Sequence, residues 1–152
     1  MLSTTSKLKL IKNNYPQFNF VSSDDFVWSP NNKTIYYDAK DNHFIELLLH
    51  ELSHAILGHS SYNRDIQLVA MERQAWEQAT RLALDYKITI KESFIESTLD
   101  SYRDWIHDRS TCPKCNATGM QTEKNKYKCP NCDYGWRVNE ARTCALRRYG
   151  IK

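Results

Sequence analysis

The chain of 152 residues reads as an α+β protein: a small β-hairpin or sheet with about three helices over residues 1–108, then a compact cysteine-bearing module over 109–152. Three observations predict this. Aromatic and β-branched residues dominate from Phe18 to Asp38, as strands require. Long segments between Asp41 and His107 repeat apolar residues at helical spacing. Two Cys-Pro-x-Cys units then stand in a tail where aliphatic residues are sparse.

The first 14 residues can form a short helix, with Leu8 and Ile11 on one side, before Pro16 stops it. Phe26-Val27-Trp28, Ser29-Pro30-Asn31-Asn32-Lys33 and Thr34-Ile35-Tyr36-Tyr37 read as strand, turn and strand, so a β-hairpin is expected. Asp41 or Asn42 can cap a helix running to about Leu57, where Gly58 supplies a stop. Leu68, Met71, Ala75, Ala79, Leu82 and Ala83 predict a second long helix from Asp65 to Tyr86, and its small residues allow close packing. Lys87-Ile88-Thr89-Ile90 breaks the pattern. Phe94, Ile95, Leu99, Tyr102 and Ile106 resume it from Lys91 to about His107. The composition shifts at Arg109, which places a domain boundary near Ser110 and divides the chain into 1–108 and 109–152.

Hydrophobic content of 41% with 26% charged residues fits a soluble globular protein. No run of about 18 apolar residues is present for a membrane span, and the N-terminus lacks the apolar core of a secretory signal. The cytoplasm is the expected compartment, and no membrane partner is expected. The net charge of +3 conceals a split. Residues 1–108 hold 11 Lys+Arg against 15 Asp+Glu, whereas 109–152 hold 10 against 3. A mildly acidic larger region joined to a basic module suits a partner that is a polyanion, nucleic acid above all.

His50-Glu51-Leu52-Ser53-His54 carries the chemistry. Spacing of i,i+4 stacks His50 and His54 on one helix face, where both imidazoles can reach one metal ion with Glu51 beside them. Leu47-Leu48-Leu49 and Ala55-Ile56-Leu57 frame the motif, and burying such polar groups unsatisfied would cost several kcal/mol; a bound Zn²⁺ would satisfy them. A catalytic zinc takes three protein ligands and keeps one position open. Glu72 on the next helix is the preferred third ligand, with Ala75 and Ala79 on its face leaving room to pack; Glu77, roughly 140° around, is the fallback. His59 competes: on a straight helix it would lie about 180° from His50, but Gly58 can turn it back. Glu51 is the expected general base, taking a proton from the attacking water and returning it to the leaving amine in peptide-bond hydrolysis. Tyr36, Tyr37, Tyr62, Tyr86 and His107 are conceivable oxyanion donors.

His50 to His59 followed by Met71-Glu72-Arg73-Gln74-Ala75-Trp76-Glu77-Gln78-Ala79 resembles the ImmA/IrrE family of small zinc metallopeptidases over roughly residues 25–90. The resemblance implies a zincin-like fold, a Glu-x-x-Ala helix whose glutamate, Glu72 here, is the third zinc ligand, and cleavage of a DNA-bound repressor. Trp76 has no counterpart in that pattern, and the cysteine module is not general in the family.

Cys112-Pro113-Lys114-Cys115 and Cys129-Pro130-Asn131-Cys132, 13 residues apart, form a four-cysteine set for a second, structural zinc and resemble a zinc ribbon. Cys144 lies outside this set and is expected to be a small buried residue. Lys124, Lys126, Lys128, Arg137, Arg142, Arg147 and Arg148 are interleaved with Tyr127, Tyr134, Trp136 and Tyr149, which suits phosphate contacts and base stacking. Of these, Lys124, Lys126, Lys128, Arg137, Arg147 and Arg148 are the expected nucleic-acid contacts; docking on protein is the competing use. A peptidase joined to such a module also resembles the SprT/Spartan-type proteases, although those use a third histidine. The expected function is a zinc endopeptidase acting on a DNA-associated protein, a repressor or a crosslinked one. The alternative is a nucleic-acid-binding regulator with a structural or inactive His/Glu site.

Overall fold

Ser3 opens the first helix, its hydroxyl accepting the Ser6 N–H at 3.2 Å, and α1 runs Thr4–Asn14 with Ile11 fully buried. The computed structural model describes residues 1–151. It is α+β, with four helices and two small sheets among the described residues.

The expected hairpin is present as β2 (Val27–Ser29) antiparallel to β3 (Thr34–Tyr37). A further strand, β1 (Asn19–Ser22), lies parallel to β3 on its other side, so the order is β1-β3-β2. Central β3 carries the burial, through Thr34, Ile35 and Tyr37. Strand β1 is nearly all exposed, so it lacks the in-out alternation by which a strand is read.

Helix α2 spans Phe44–Ile56 and packs on β2 and β3. Asp41 does not cap it directly. Its carboxylate accepts the His43 N–H at 2.7 Å and its carbonyl accepts the Phe44 N–H at 3.2 Å, a turn that delivers the chain into the helix two residues later. The other end is a complete Schellman closure. Gly58 takes φ +68°, its N–H reaches the Ala55 carbonyl at 3.2 Å, and the His59 N–H reaches the His54 carbonyl at 3.0 Å. Helix α3 follows over Asp65–Asp85 and α4 over Glu92–Ser110. On α3, Glu72, Ala75, Trp76, Ala79, Leu82 and Ala83 are buried, so Glu72 lies on the inward stripe.

The chain divides into two compact units, 1–60 with 71–95 and 61–70 with 96–152. The composition change near Ser110 therefore marks the end of α4, and the second unit also takes residues 61–70 and 96–108 that composition had assigned to the first. Its sheet is an antiparallel meander of β4 (Met120–Glu123), β5 (Lys126–Lys128), β6 (Gly135–Val138) and β7 (Arg148–Ile151). Cys112, Tyr127, Cys129, Trp136 and Val138 form its core cluster. Arg109, fully buried, ties the unit together through an ion pair with Asp65 at 3.1 Å. No helix among the described residues is long and apolar enough to cross a membrane.

Candidate metal centres

Three side chains from α2 and α3 converge on one point in the first unit. His50 Nε2 and His54 Nε2 are 3.1 Å apart, His50 Nε2 lies 2.9 Å from Glu72 Oε2, and His54 Nε2 lies 3.2 Å from Glu72 Oε1. All three residues are at most 6% exposed. Two imidazole nitrogens and a carboxylate turned inward at hydrogen-bond spacing form a donor set for a metal ion, and burial gives them no other partner of that strength. The i,i+4 stacking on α2 supplies the first pair, and Ala75 and Ala79 let α3 approach closely enough to present Glu72. Glu77 is exposed, which removes the fallback.

Glu51 stands beside this set, its carboxylate within 4.8 Å of both imidazoles, and its Oε2 accepts the backbone N–H of Trp28 at 2.8 Å. The Trp28 amide comes from β2, an edge strand, so the sheet edge holds the carboxylate in place. Burial raises the Glu51 carboxyl above the ordinary range and Glu72 adds to it, against the lowering effect of His50, His54 and the Trp28 N–H. Glu72 behaves oppositely. Burial alone would raise it, but hydrogen bonds with His50 and His54 hold its carboxyl well below the usual carboxylate range. Burial pulls His54 down, yet the Glu72 hydrogen bond and charge, with Glu51, leave it raised. Two neighbouring carboxylates are thus driven in opposite directions.

His59 is not a member of the donor set. Its Nδ1 lies 2.8 Å from His54 Nδ1, the nitrogen on the far side of that ring, and its Nε2 lies 3.1 Å from Gln74 Oε1. Sequence reasoning missed three residues here. Trp76 stacks on the His50 ring at 4.2 Å between centroids, Trp28 donates its indole N–H to the His59 carbonyl at 3.0 Å, and Gln74 closes the His54–His59 line. The rule that a ligand histidine has a partner on its other nitrogen points to His59, which meets His54 Nδ1; Gln74 lies one link further out, beyond the reach of that rule. Among the suggested oxyanion donors, Tyr37 accepts a hydrogen bond from Lys12 and Tyr86 one from Asn14, and both are buried. Tyr36 meets Asn32, and Tyr62 donates to Glu140 in the second unit.

The second candidate centre is made by the four cysteines. Cys112, Cys115, Cys129 and Cys132 bring their sulfurs within 4.8 Å of one another, with 3.7 Å between Cys112 and Cys132 and 3.5 Å between Cys115 and Cys129. The two knuckles repeat one backbone pattern. Asn116 and Asp133 both take φ 64°, and their N–H groups return to the Cys112 and Cys129 carbonyls at 2.9 and 3.0 Å. Asn131's amide hydrogen bond draws the Cys115 thiol down to about 6. The Tyr134 N–H pulls the Cys132 thiol down, but burial and the neighbouring sulfurs together outweigh it and push it up to about 12. Sulfurs this crowded cannot all ionise without a cation between them. Cys144 is exposed rather than buried, with its sulfur 3.5 Å from Asn139 Nδ2.

Most of the basic residues are engaged within their own unit. Lys126 pairs with Glu123 at 2.8 Å, Lys128 with Asp133 at 2.9 Å, and Arg148 donates to the Asp108 carbonyl at 2.7 Å. Lys124 lies over the Tyr62 ring and Arg137 over Tyr149. The sheet register brings Lys126, Arg137 and Tyr149 into one cross-strand row, whereas Arg147 meets Asn139 through its backbone, its N–H reaching Asn139 Oδ1 at 2.9 Å and its carbonyl accepting the Asn139 N–H at 3.4 Å. Comparison of the chain with protein-family models, curated proteins and solved structures found no match.

Proposed function

We propose that this protein is a zinc-dependent endopeptidase of zincin-like, ImmA/IrrE-like architecture, with His50, His54 and Glu72 as zinc ligands and Glu51 as general base. The observation that carries the reading is the triangle of two imidazole nitrogens and one carboxylate with edges of 2.9, 3.1 and 3.2 Å. Ligand atoms about 2.05 Å from a tetrahedral zinc would stand about 3.3 Å apart, so the residues fit the ion with a shift of a few tenths of an ångström. The same arithmetic for four thiolates predicts about 3.8 Å between sulfurs, close to the spacings above, and supports zinc as the structural ion of the ribbon.

A zinc ion held by His50, His54 and Glu72 supplies Lewis-acid activation of a water molecule and of a carbonyl oxygen. The protein's own groups do the rest. Glu51, raised by burial against the lowering effect of its imidazole neighbours, takes the water proton and delivers it to the departing amine. The Trp28 N–H holds one carboxylate oxygen and leaves the other for proton transfer. The substrate we propose is a DNA-associated protein, a repressor or a crosslinked one, brought near by the basic ribbon, where the Lys126, Arg137 and Tyr149 row offers cations beside an aromatic ring.

The test incubates zinc-loaded protein with a DNA-binding protein, with and without single- or double-stranded DNA, beside Glu51→Gln. General-base catalysis contributes about 10²–10⁴-fold, so fragments should appear with the parent and fall by that factor in the variant. Glutamine keeps an acceptor for the Trp28 N–H, so zinc content should not change. Equal cleavage by parent and Glu51→Gln would sink the assignment of Glu51. Activity that survives Glu51→Gln in the cell but is lost in Cys112→Ser would favour a nucleic-acid-binding regulator instead.

A further inference from the structure

We propose that His59 and Gln74 are positioning residues that fix which ring nitrogen of His54 carries its proton, keeping His54 Nε2 bare for the metal. The inference rests on the reading of His50, His54 and Glu72 as ligands and concerns how one of them is prepared.

Its origin is local and readable in the chain. A Schellman closure brings the second residue past the helix cap against the residue five positions earlier, a contact that is ordinarily hydrophobic. Here those two positions are His59 and His54. The left-handed Gly58 turns the chain so that the two Nδ1 atoms meet at 2.8 Å. At such a distance one nitrogen donates and the other accepts, so the two rings cannot choose their tautomers independently.

The outer end of the line decides the order. Gln74 presents Oε1 to His59 Nε2 at 3.1 Å, and a carbonyl oxygen only accepts. His59 Nε2 is therefore the N–H, and His59 Nδ1 carries the lone pair. That lone pair accepts from His54 Nδ1–H, so when the ring gives up its second proton, as ligation requires, the bare nitrogen is Nε2, the one that faces His50 and Glu72. The reverse order would need the Gln74 amide N–H to face His59, and it would place a proton on His54 Nε2, where it blocks ligation. His50 is built differently. Its Nδ1 is buried with no hydrogen-bond partner among the described residues, and the ring is held by stacking on Trp76 at 4.2 Å with 25° between planes. One ligand is oriented by packing and the other by a hydrogen-bonded line, so His50 serves as an internal control.

The experiment uses the full chain, ¹⁵N-labelled at histidine, with the His/Glu site free of metal and its rings neutral while tautomers are read, and loaded with zinc for the affinity. Long-range ¹H–¹⁵N spectra report the tautomer of each ring, and competition with a chromophoric chelator reports the affinity of the His/Glu site, with the four-cysteine site as reference. The parent should take up two zinc ions and show His54 protonated at Nδ1. Loss of a partner to a ligand histidine costs about 10–100-fold in metal affinity, the drop expected for His59→Ala. Gln74→Met removes only the outer acceptor from an exposed position, so it should weaken zinc less, loosen the His54 tautomer and leave the fold intact. Gln74→Glu restores an acceptor and should restore both affinity and tautomer, which a packing role would not predict. The His50 signals should not move in the Gln74 variants. Affinity within about twofold of the parent in both His59→Ala and Gln74→Met, with His54 still protonated at Nδ1, would overturn the proposal. So would a parent in which His54 carries its proton on Nε2. A parent that takes no zinc at the His/Glu site would overturn the ligand assignment itself, a result distinct from failure of the line.

Discussion

Replacing Arg109 by leucine should unfold most of the second unit. The guanidinium is fully buried and makes an ion pair with Asp65 at 3.1 and 3.4 Å, donates to the Glu140 carbonyl at 2.9 Å, and meets the Asn139 carbonyl and the Asn125 amide oxygen. Asp65 is itself 2% exposed, with the Tyr127 hydroxyl and Gln121 amide as its remaining partners. Arg109→Leu therefore leaves the buried Asp65 carboxylate without its cation and takes a donor from the Asn139 carbonyl. Removing one partner of a buried pair costs about 3–5 kcal/mol. In a unit of this size each kcal/mol lowers Tm by about 4–8 °C, so the shift should be about 12–40 °C. Denaturant titration followed by near-ultraviolet circular dichroism, with metal in excess, measures it. Arg109→Leu combined with Asp65→Leu should be less unstable than the sum of the singles, because neither charge is then left alone. By contrast Arg103, exposed and paired with Glu96 and Asp100, should be replaceable by alanine with no change in midpoint. A loss below about 1 kcal/mol for Arg109→Leu, or a double variant worse than the summed singles, would refute the reasoning.

Gly58→Ala meets no atom within 4 Å but forces a Cβ into φ +68°, so it should destabilise the protein by about 1–2 kcal/mol, while Gly58→Asn should cost less. Thermal unfolding checks this, and an alanine variant as stable as the parent would contradict the strain argument. Tyr62 has its hydroxyl raised from the ordinary 10 to about 12, by burial first and then by the Glu140 hydrogen bond and charge. A raised folded-state value favours the protonated form, so the stability it adds is complete below pH 10 and is lost as pH rises through 12. The gap between parent and Tyr62→Phe should accordingly stay constant to pH 9 or so and shrink above pH 10, and a gap that widens there would reject the assignment.

What could be read from the chain follows from how local each signal is. The His50–His54 pair, the Gly58 stop and the two knuckles are each set within ten residues, and all appear as expected. Glu72 was harder, because its place beside His50 and His54 depends on how α3 packs; the alanines at 75 and 79 gave the direction of that packing. Strand β1 escaped because it hides almost nothing, and β7 because Arg148–Ile151 is exposed throughout and held by its ladder with β6. The basic residues were legible as charge but not as free charge. Glu123 and Asp133, two of only three acids after residue 108, sit where they pair with Lys126 and Lys128. Arg109 was invisible for a related reason: a buried arginine looks like any other until Asp65, 44 positions away, is found beside it.

The two centres should respond differently to metal removal, because their surroundings do different amounts of the holding. In the first unit Ile11, Ile35, Leu48, Leu49, Leu52, Ala75, Trp76 and Ala79 are buried, and the Glu72 contacts with His50 and His54 already draw the donor triangle together. A site assembled by an existing core binds with little ordering left to do, so the metal adds stability only as RT ln(1 + [L]/Kd) and is not needed for folding. In the second unit the core cluster is five residues, and two of them, Cys112 and Cys129, are themselves metal-ligand candidates. A core that depends on its ligands couples folding to binding. Chelation should therefore strip hydrogen-exchange protection from β4 to β7 while α2 and the 71–85 part of α3 keep theirs. Loss of protection in α2 at the same chelator concentration would show that the first unit, too, is organised by its metal rather than by its apolar contacts.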